Sequence, residues 1–161
     1  MSSTIMTILL WTAAVSSGLI AGVYFAFSGF IMQSFSKLNI TQSIAAMNSI
    51  NKVILRSLFM PLFFGSTIAS VLLIIFSLIH WSEAGSLIAL VAGATYFFGM
   101  FVCTVMFNVP LNNSLAGIDH TSTNAPQIWS HYLKTWTNWN HLRMICSIVT
   151  CILCIWVLSN Q

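Results

Sequence analysis

The sequence has very little charge. Lysine, arginine, aspartate and glutamate make up 4% of its 161 residues, against 58% hydrophobic residues. A soluble domain carries about 25% charged residues. A water-facing globule is therefore excluded, and residues 1–161 read as a single integral membrane domain. Carboxylates are scarcest of all, with Glu83 and Asp119 the only two, and neither falls within an apolar run. With no histidine pair at ligand spacing on one helix either, a metal site is not expected. A Ser-His-Asp or Cys-His arrangement and a phosphate-binding or dinucleotide fingerprint are also missing. The net charge of +3 is too sparse for a nucleic-acid footprint. No lysine or arginine precedes the first apolar run. That run exceeds the roughly 7–15 residues of a signal-peptide core, so it reads as a retained helix. The apolar runs do not alternate, which disfavours a transmembrane β-barrel. The four cysteines, Cys103, Cys146, Cys151 and Cys154, all fall inside apolar runs and read as small apolar filler rather than a disulfide framework.

What the chain does have is four runs of membrane length. They cover Ile5 to Met32, Ser57 to Ile79, Gly85 to Phe107, and the stretch ending at Leu158. A spanning helix needs about 20 apolar residues, and the last run reaches that only if it begins near Trp139. The count places Asn140, His141 and Arg143 at the hydrocarbon boundary. The fold class that follows is an all-α integral membrane protein, a four-transmembrane-helix bundle. Between the first two spans, Ile44, Met47, Ile50 or Asn51, and Ile54 repeat at helical spacing behind Thr41 as a cap, which predicts a short amphipathic helix. Pro61 should kink the second span or free a carbonyl near its cytoplasmic side, and Asn108 with Pro110 should stop the third. Gly117 to Pro126, with Asp119 and His120, reads as the longest loop. Pro126 suits a helix start, and nothing after it breaks the helix as far as Leu158. At 1.5 Å per residue that helix is about 50 Å long, so its first half should project into the cytoplasm or bend along the membrane surface. Gly18 and Gly22 form a small-xxx-small pair for close helix approach.

Basic residues set an expected orientation. Lys37, Lys52 and Arg56 flank the first connection, and Lys134 and Arg143 the third. By the positive-inside rule these connections face the cytoplasm of a multi-pass cell-membrane protein, with both termini outside. A faint internal echo, AGVYF against AGATYF and NSINKVILR against NWNHLR, is consistent with two related helical hairpins.

The same topology gathers polar residues at one end of the bundle. Asn48, Asn51 and Arg56 approach the second span, Asn108 and Asn112 end the third, and Trp136, Asn140, His141 and Arg143 enter the fourth. Trp129, Tyr132, Trp136, Asn140 and Arg143 step by three or four and share a helix face, and Trp139 lies four residues before Arg143, within stacking reach. His141 is offset from Asn140 by about 100°. Each residue has a plainer use, as a belt tryptophan, a snorkelling arginine or a helix-end asparagine. Together they exceed what anchoring needs, and polar groups at membrane depth by default suggest function. His131 and Lys134 read as exposed.

GVYFAFSGFIM (Gly22 to Met32), AMNSIN (Ala46 to Asn51), NVPLN (Asn108 to Asn112) and WTNWNHLR (Trp136 to Arg143) together resemble the small four-helix membrane proteins related to anthrone oxygenases. The resemblance implies oxidation of an anthrone-like, lipophilic aromatic molecule to a quinone without flavin or metal, so no cofactor is expected. It carries Asn51, Asn108, Pro110, Asn112, Trp136, Trp139, Asn140, His141 and Arg143 onto this chain. In that reading His141 is the base. Arg143 or Arg56 holds the oxyanion, with Asn140 and Asn108 as donors, and Trp136, Trp139 and Tyr24 stack on the substrate. Asn51 and Asn112 complete the substrate-binding set. The alternative is a non-catalytic lipid- or quinone-binding protein or accessory subunit. Partners are a lipophilic small molecule and membrane lipid, with a homo-oligomer left open. A transporter is disfavoured because the span midplanes are poor in polar residues.

Overall fold

The computed structural model describes residues 4–118 and 122–160. Five helices follow one another: α1 (Thr4–Phe35), α2 (Ile40–Ile54), α3 (Phe59–Ile79), α4 (Ser86–Ala116) and α5 (Ala125–Ser159). All but α2 are long and apolar enough to cross a membrane. Among the described residues there is no strand, and the chain is a helical membrane bundle.

The lengths of the four long helices explain the shape. α1, α4 and α5 have 32, 31 and 35 residues, and α3 has 21. At 1.5 Å per residue the first three run roughly 47–52 Å, whereas α3 only just matches a hydrocarbon core of about 30 Å. The surplus of all three lies at the same end. There α2 packs between them and builds a cap around Met32, Ile44, Met47, Leu115, Trp129, Tyr132 and Trp136. The first half of α5 therefore does not stand free or bend away. It is sheathed by α2 and the overhanging ends of α1 and α4, because its aromatic face needs cover. His131 and Lys134, off that face, are exposed as expected.

Within the spans lipid removes most of the hydrophobic drive for helix association, leaving close packing and hydrogen bonds. Thr150 donates to the Ala92 carbonyl at 3.1 Å, and Tyr96 to Ser66 Oγ at 2.7 Å. Gly18 meets Cys151, but Gly22 is exposed with nothing within 4 Å of where a Cβ would stand. The closest approach to a neighbouring backbone is instead at Gly93, where a Cβ would fall 2.8 Å from the Ser70 carbonyl oxygen, and Gly99 packs directly against the Cys146 side chain. At the far end Gly85 turns α3 into α4 with φ +86°, and a Cβ there would lie 3.0 Å from Val157.

Three local expectations are corrected. The α2 cap is Asn39, whose side chain accepts from the Thr41 amide at 2.9 Å; Thr41 lies inside the helix. Pro61 sits in the first turn of α3, where its missing N–H removes no intrahelical bond, so it does not kink the span. Nor does Pro110 stop the third span. Thr104–Asn108 adopts wide π-helical turns, and Val109–Ala116 resumes as α-helix with the proline in its first turn. The widened turns move the preceding carbonyls away from the ring that would otherwise clash with them. Of the loop expected after Gly117, Asp119 and His120 lie outside the described residues.

Candidate functional site

Because α3 is short, a space remains above its first turns, between α1, α4 and α5 and beneath α2. It is a cavity of about 420 Å³, within the range of about 300–1,000 Å³ that suits small-molecule ligands. Its walls are largely aromatic: Tyr24 and Phe27 from α1, Phe59 and Phe63 from α3, Phe101 from α4 and Trp136 from α5. α2 supplies Asn48 and Asn51, and α4 supplies Thr104 and Asn112.

Arg143 also lines this cavity and is only 4% exposed. Its guanidinium lies 4.3 Å from the ring centre of Tyr24 and 5.2 Å from that of Trp136. Nη2 donates to Asn140 Oδ1 at 2.9 Å and Nη1 to Thr104 Oγ1 at 3.3 Å. No carboxylate neutralises it among the described residues. Glu83 is at the opposite end, in the α3–α4 turn. An uncompensated charge in such surroundings is costly. Two aromatic faces and two neutral oxygens soften that cost without cancelling the charge.

Asn140 holds this arrangement. It is fully buried, and its Nδ2 donates both to the Tyr24 carbonyl and to Ser28 Oγ, each at 2.8 Å. Ser28 belongs to the π-helical segment Phe27–Ile31 of α1. There the Met32 amide bonds back to the Phe27 carbonyl, one residue farther than in an α-helix. His141 Nδ1 meets the same Ser28 Oγ at 2.9 Å. A continuous chain of hydrogen bonds thus joins His141, Ser28, Asn140 and Arg143.

Four buried polar atoms on cavity-lining residues have no hydrogen-bond partner among the described residues: Asn48 Oδ1, Asn51 Nδ2, Trp136 Nε1 and Arg143 Nε. Buried polar groups are normally satisfied. Four exceptions on residues around one cavity leave hydrogen-bonding capacity there unused.

The structure brings Tyr24, Asn51, Asn112, Trp136 and Arg143 onto the cavity, with Asn140 immediately behind. Asn108 is buried beside it but donates to the Trp136 carbonyl at 3.3 Å, and Tyr132 donates to Asn112 Oδ1 at 2.8 Å. The two asparagines of NVPLN therefore tie α4 to α5. Arg56 is exposed and does not line the cavity. It follows the end of α2, where the chain turns outward. Trp139 does not stack on Arg143. Its ring lies flat on Phe107, centroids 3.9 Å apart, while Arg143 reaches Trp136 and Tyr24. His141, on its offset face, is half-buried and outside the lining. Sequence reasoning missed Ser28, Thr104 and the phenylalanine wall. Thr104 had one usable signal, four residues before Asn108 on the same face. Ser28 was hidden because a π turn changes which residues face inward.

Residues 53–153, well over half of the chain, match the family model described as anthrone oxygenase. The match contains Asn108, Asn112, Trp136, Asn140 and Arg143, whereas Tyr24 and Ser28 precede it. No curated protein and no solved structure matches the chain.

Proposed function

Because this chain belongs to the anthrone oxygenase family, we propose that it is a membrane-embedded oxygenase of a lipophilic, anthrone-like aromatic molecule held in the cavity under α2. The observation that carries this reading is Arg143, a buried cation without a carboxylate, set in an aromatic-walled cavity. A flat ring system would lie against Tyr24, Phe59, Phe63 and Trp136. Its oxygen would take the donors that lack partners, Arg143 Nε and Trp136 Nε1. Loss of the benzylic proton to water at the open side of the cavity gives an enolate whose oxygen faces the guanidinium, and a proton returns when the peroxide forms. The carbanion carbon then bonds dioxygen, and the resulting peroxide loses water to leave a ketone. A CH₂ and O₂ become C=O and H₂O, with no other reductant required.

In this reading Tyr24, Trp136 and Arg143 touch the substrate, Asn51 and Asn112 line its polar end, and Asn140 is a positioning residue. His141 acts through Ser28 rather than on the substrate. The basic residues Lys37, Lys52, Arg56 and Lys134 all lie at the cap end, which supports placing that end in the cytoplasm of a cell membrane.

The test is oxygen uptake by the purified protein in detergent with anthrone. Uptake and anthraquinone formation above the protein-free rate are expected, and Arg143→Gln should remove them while the variant stays monodisperse. A wild-type protein that adds nothing to the protein-free rate ends this reading. One observation favours the second reading, a non-catalytic binder of lipid or quinone: no histidine, aspartate or glutamate lines the cavity.

A further inference from the structure

The cavity has cations on its lining and no anion. Arg143 is buried in its wall, and Lys52, the other charged residue on it, is exposed and so stands where the cavity opens. The titratable groups around Arg143 come from every side. From α1 comes Tyr24, whose hydroxyl contacts Met100 Sδ at 3.5 Å. From α4 comes Cys103, whose thiol points to the Trp139 carbonyl at 3.9 Å. From α5 come Tyr132, bonded to Asn112, and His141, bonded to Ser28. α3 adds Phe59, Met60, Phe63 and Phe64, and α2 adds only Lys52. Phenols and thiols in their ordinary form are neutral donors. No group on the lining is therefore suited to take a proton from a ligand, and none balances the guanidinium.

We propose that the cavity binds its ligand as an anion. The ligand class is a lipophilic phenol, or the enol form of an aromatic ketone, that loses its O–H proton on binding. The O–H bond breaks, its electron pair stays on oxygen opposite Arg143 and Trp136 Nε1, and the proton leaves to water at the Lys52 rim. No oxidant takes part in this step. The cation replaces a general base: in a medium of low dielectric constant an unpaired guanidinium favours the ionised ligand far more than it would in water. A neutral ligand leaves the buried charge uncompensated, whereas an oxyanion compensates it. The aromatic wall selects a planar oxyanion over an alkyl carboxylate. The inference rests on the functional reading above only for the aromatic class of ligand, and it holds whether or not oxidation follows.

The sign of the pH dependence follows. A ligand whose ionisation is lowered on binding has constant, weaker affinity at low pH. Its affinity rises with pH between the bound and free ionisation points and levels off above the free one.

The probe is 7-hydroxycoumarin, whose phenol and phenolate absorb at different wavelengths. It is titrated with the full chain in nanodiscs of phosphatidylcholine, a lipid without net charge. The bound probe should ionise about one pH unit or more below the same probe in protein-free nanodiscs, a tenfold change in its acid constant. 7-Methoxycoumarin, which cannot ionise, should bind at least about tenfold more weakly at pH values above the free ionisation point. Arg143→Lys should keep part of the shift and Arg143→Gln none. An unshifted or upward-shifted ionisation of the wild-type complex overturns the inference. So does equal binding of the two coumarins, absence of binding, or displacement of the probe by laurate at lower concentration than by 2-naphthol. A normal shift without oxygen uptake removes the oxygenase reading alone, and uptake without a shift removes this inference alone.

Discussion

The guanidinium of Arg143 lies 4.3 Å over the ring of Tyr24, although the two residues are 119 positions apart in the sequence. The contact joins α5 to α1. It also brings a cation to an aromatic face in place of the carboxylate that would ordinarily accompany it. Asn140 secures it from behind, accepting from Arg143 and donating to the backbone of Tyr24.

Asn140→Ala should therefore reduce both stability and ligand binding. It removes the acceptor of one Arg143 donor and the donor to the Tyr24 carbonyl and Ser28 Oγ, at about 1–3 kcal/mol for each buried group left unsatisfied. Asn140→Asp should weaken binding of an anionic ligand more than Asn140→Ala does, because a carboxylate beside Nη2 neutralises the cation. Unfolding in mixed micelles and coumarin binding measure the two effects separately. If both variants bind equally, the positive charge is not what the ligand reads.

Arg143→Met should uncouple function from stability. It removes a costly buried charge and fills the space with an unbranched apolar chain, at the loss of two hydrogen bonds to neutral oxygens. The thermal midpoint in detergent should be unchanged or higher while ligand binding disappears, as expected of a site held under strain for function. A large fall in the midpoint would assign the arginine to the scaffold instead.

His141→Ala should leave readily measurable activity and an intact pH profile. The ring meets Ser28 Oγ and does not line the cavity. Its loss should loosen Ser28 and Asn140 and lower activity several-fold at most, against the roughly 10²–10⁴-fold loss typical of a removed general base. A change in the shape of the pH–rate profile would restore histidine as the base.

Packing in the spans can be tested with two glycines. Gly93→Ala places a Cβ 2.8 Å from the Ser70 carbonyl oxygen, a backbone atom that cannot yield cheaply. It should cost about 1–3 kcal/mol, the usual range for overpacking. Gly22→Ala meets nothing within 4 Å and should be neutral. Steric-trap or mixed-micelle unfolding of both variants distinguishes them.

Much of the fold was legible in the sequence because a bilayer imposes length and apolarity on every span. The four spans, the amphipathic helix behind the first and the helix start at Pro126 could all be counted from residue spacing. The stretch from Trp136 to Arg143 also carried its own helical stripe, so Trp136, Asn140 and Arg143 were gathered correctly onto one face. Errors arose where backbone geometry departs from the α-helix. Pro110 looked like a stop because an α-helix cannot carry it mid-course, whereas a π-helical approach can. Gly22 looked like an interface because spacing alone does not say which face is turned to a neighbour.

The sequence by itself determined that this chain is a helical membrane bundle and that its polar residues collect at one end. Both follow from one-dimensional quantities, the length of apolar runs and the period of a helix. Only the tertiary structure decided which of those residues share a cavity. It kept Tyr24 and Arg143, set His141 behind Ser28, turned Trp139 onto Phe107 and left Arg56 outside. The physical reason is that α3 is shorter than its three neighbours. The cavity is the space its missing turns leave under α2, and a mismatch between packed helices becomes a site only once they are packed.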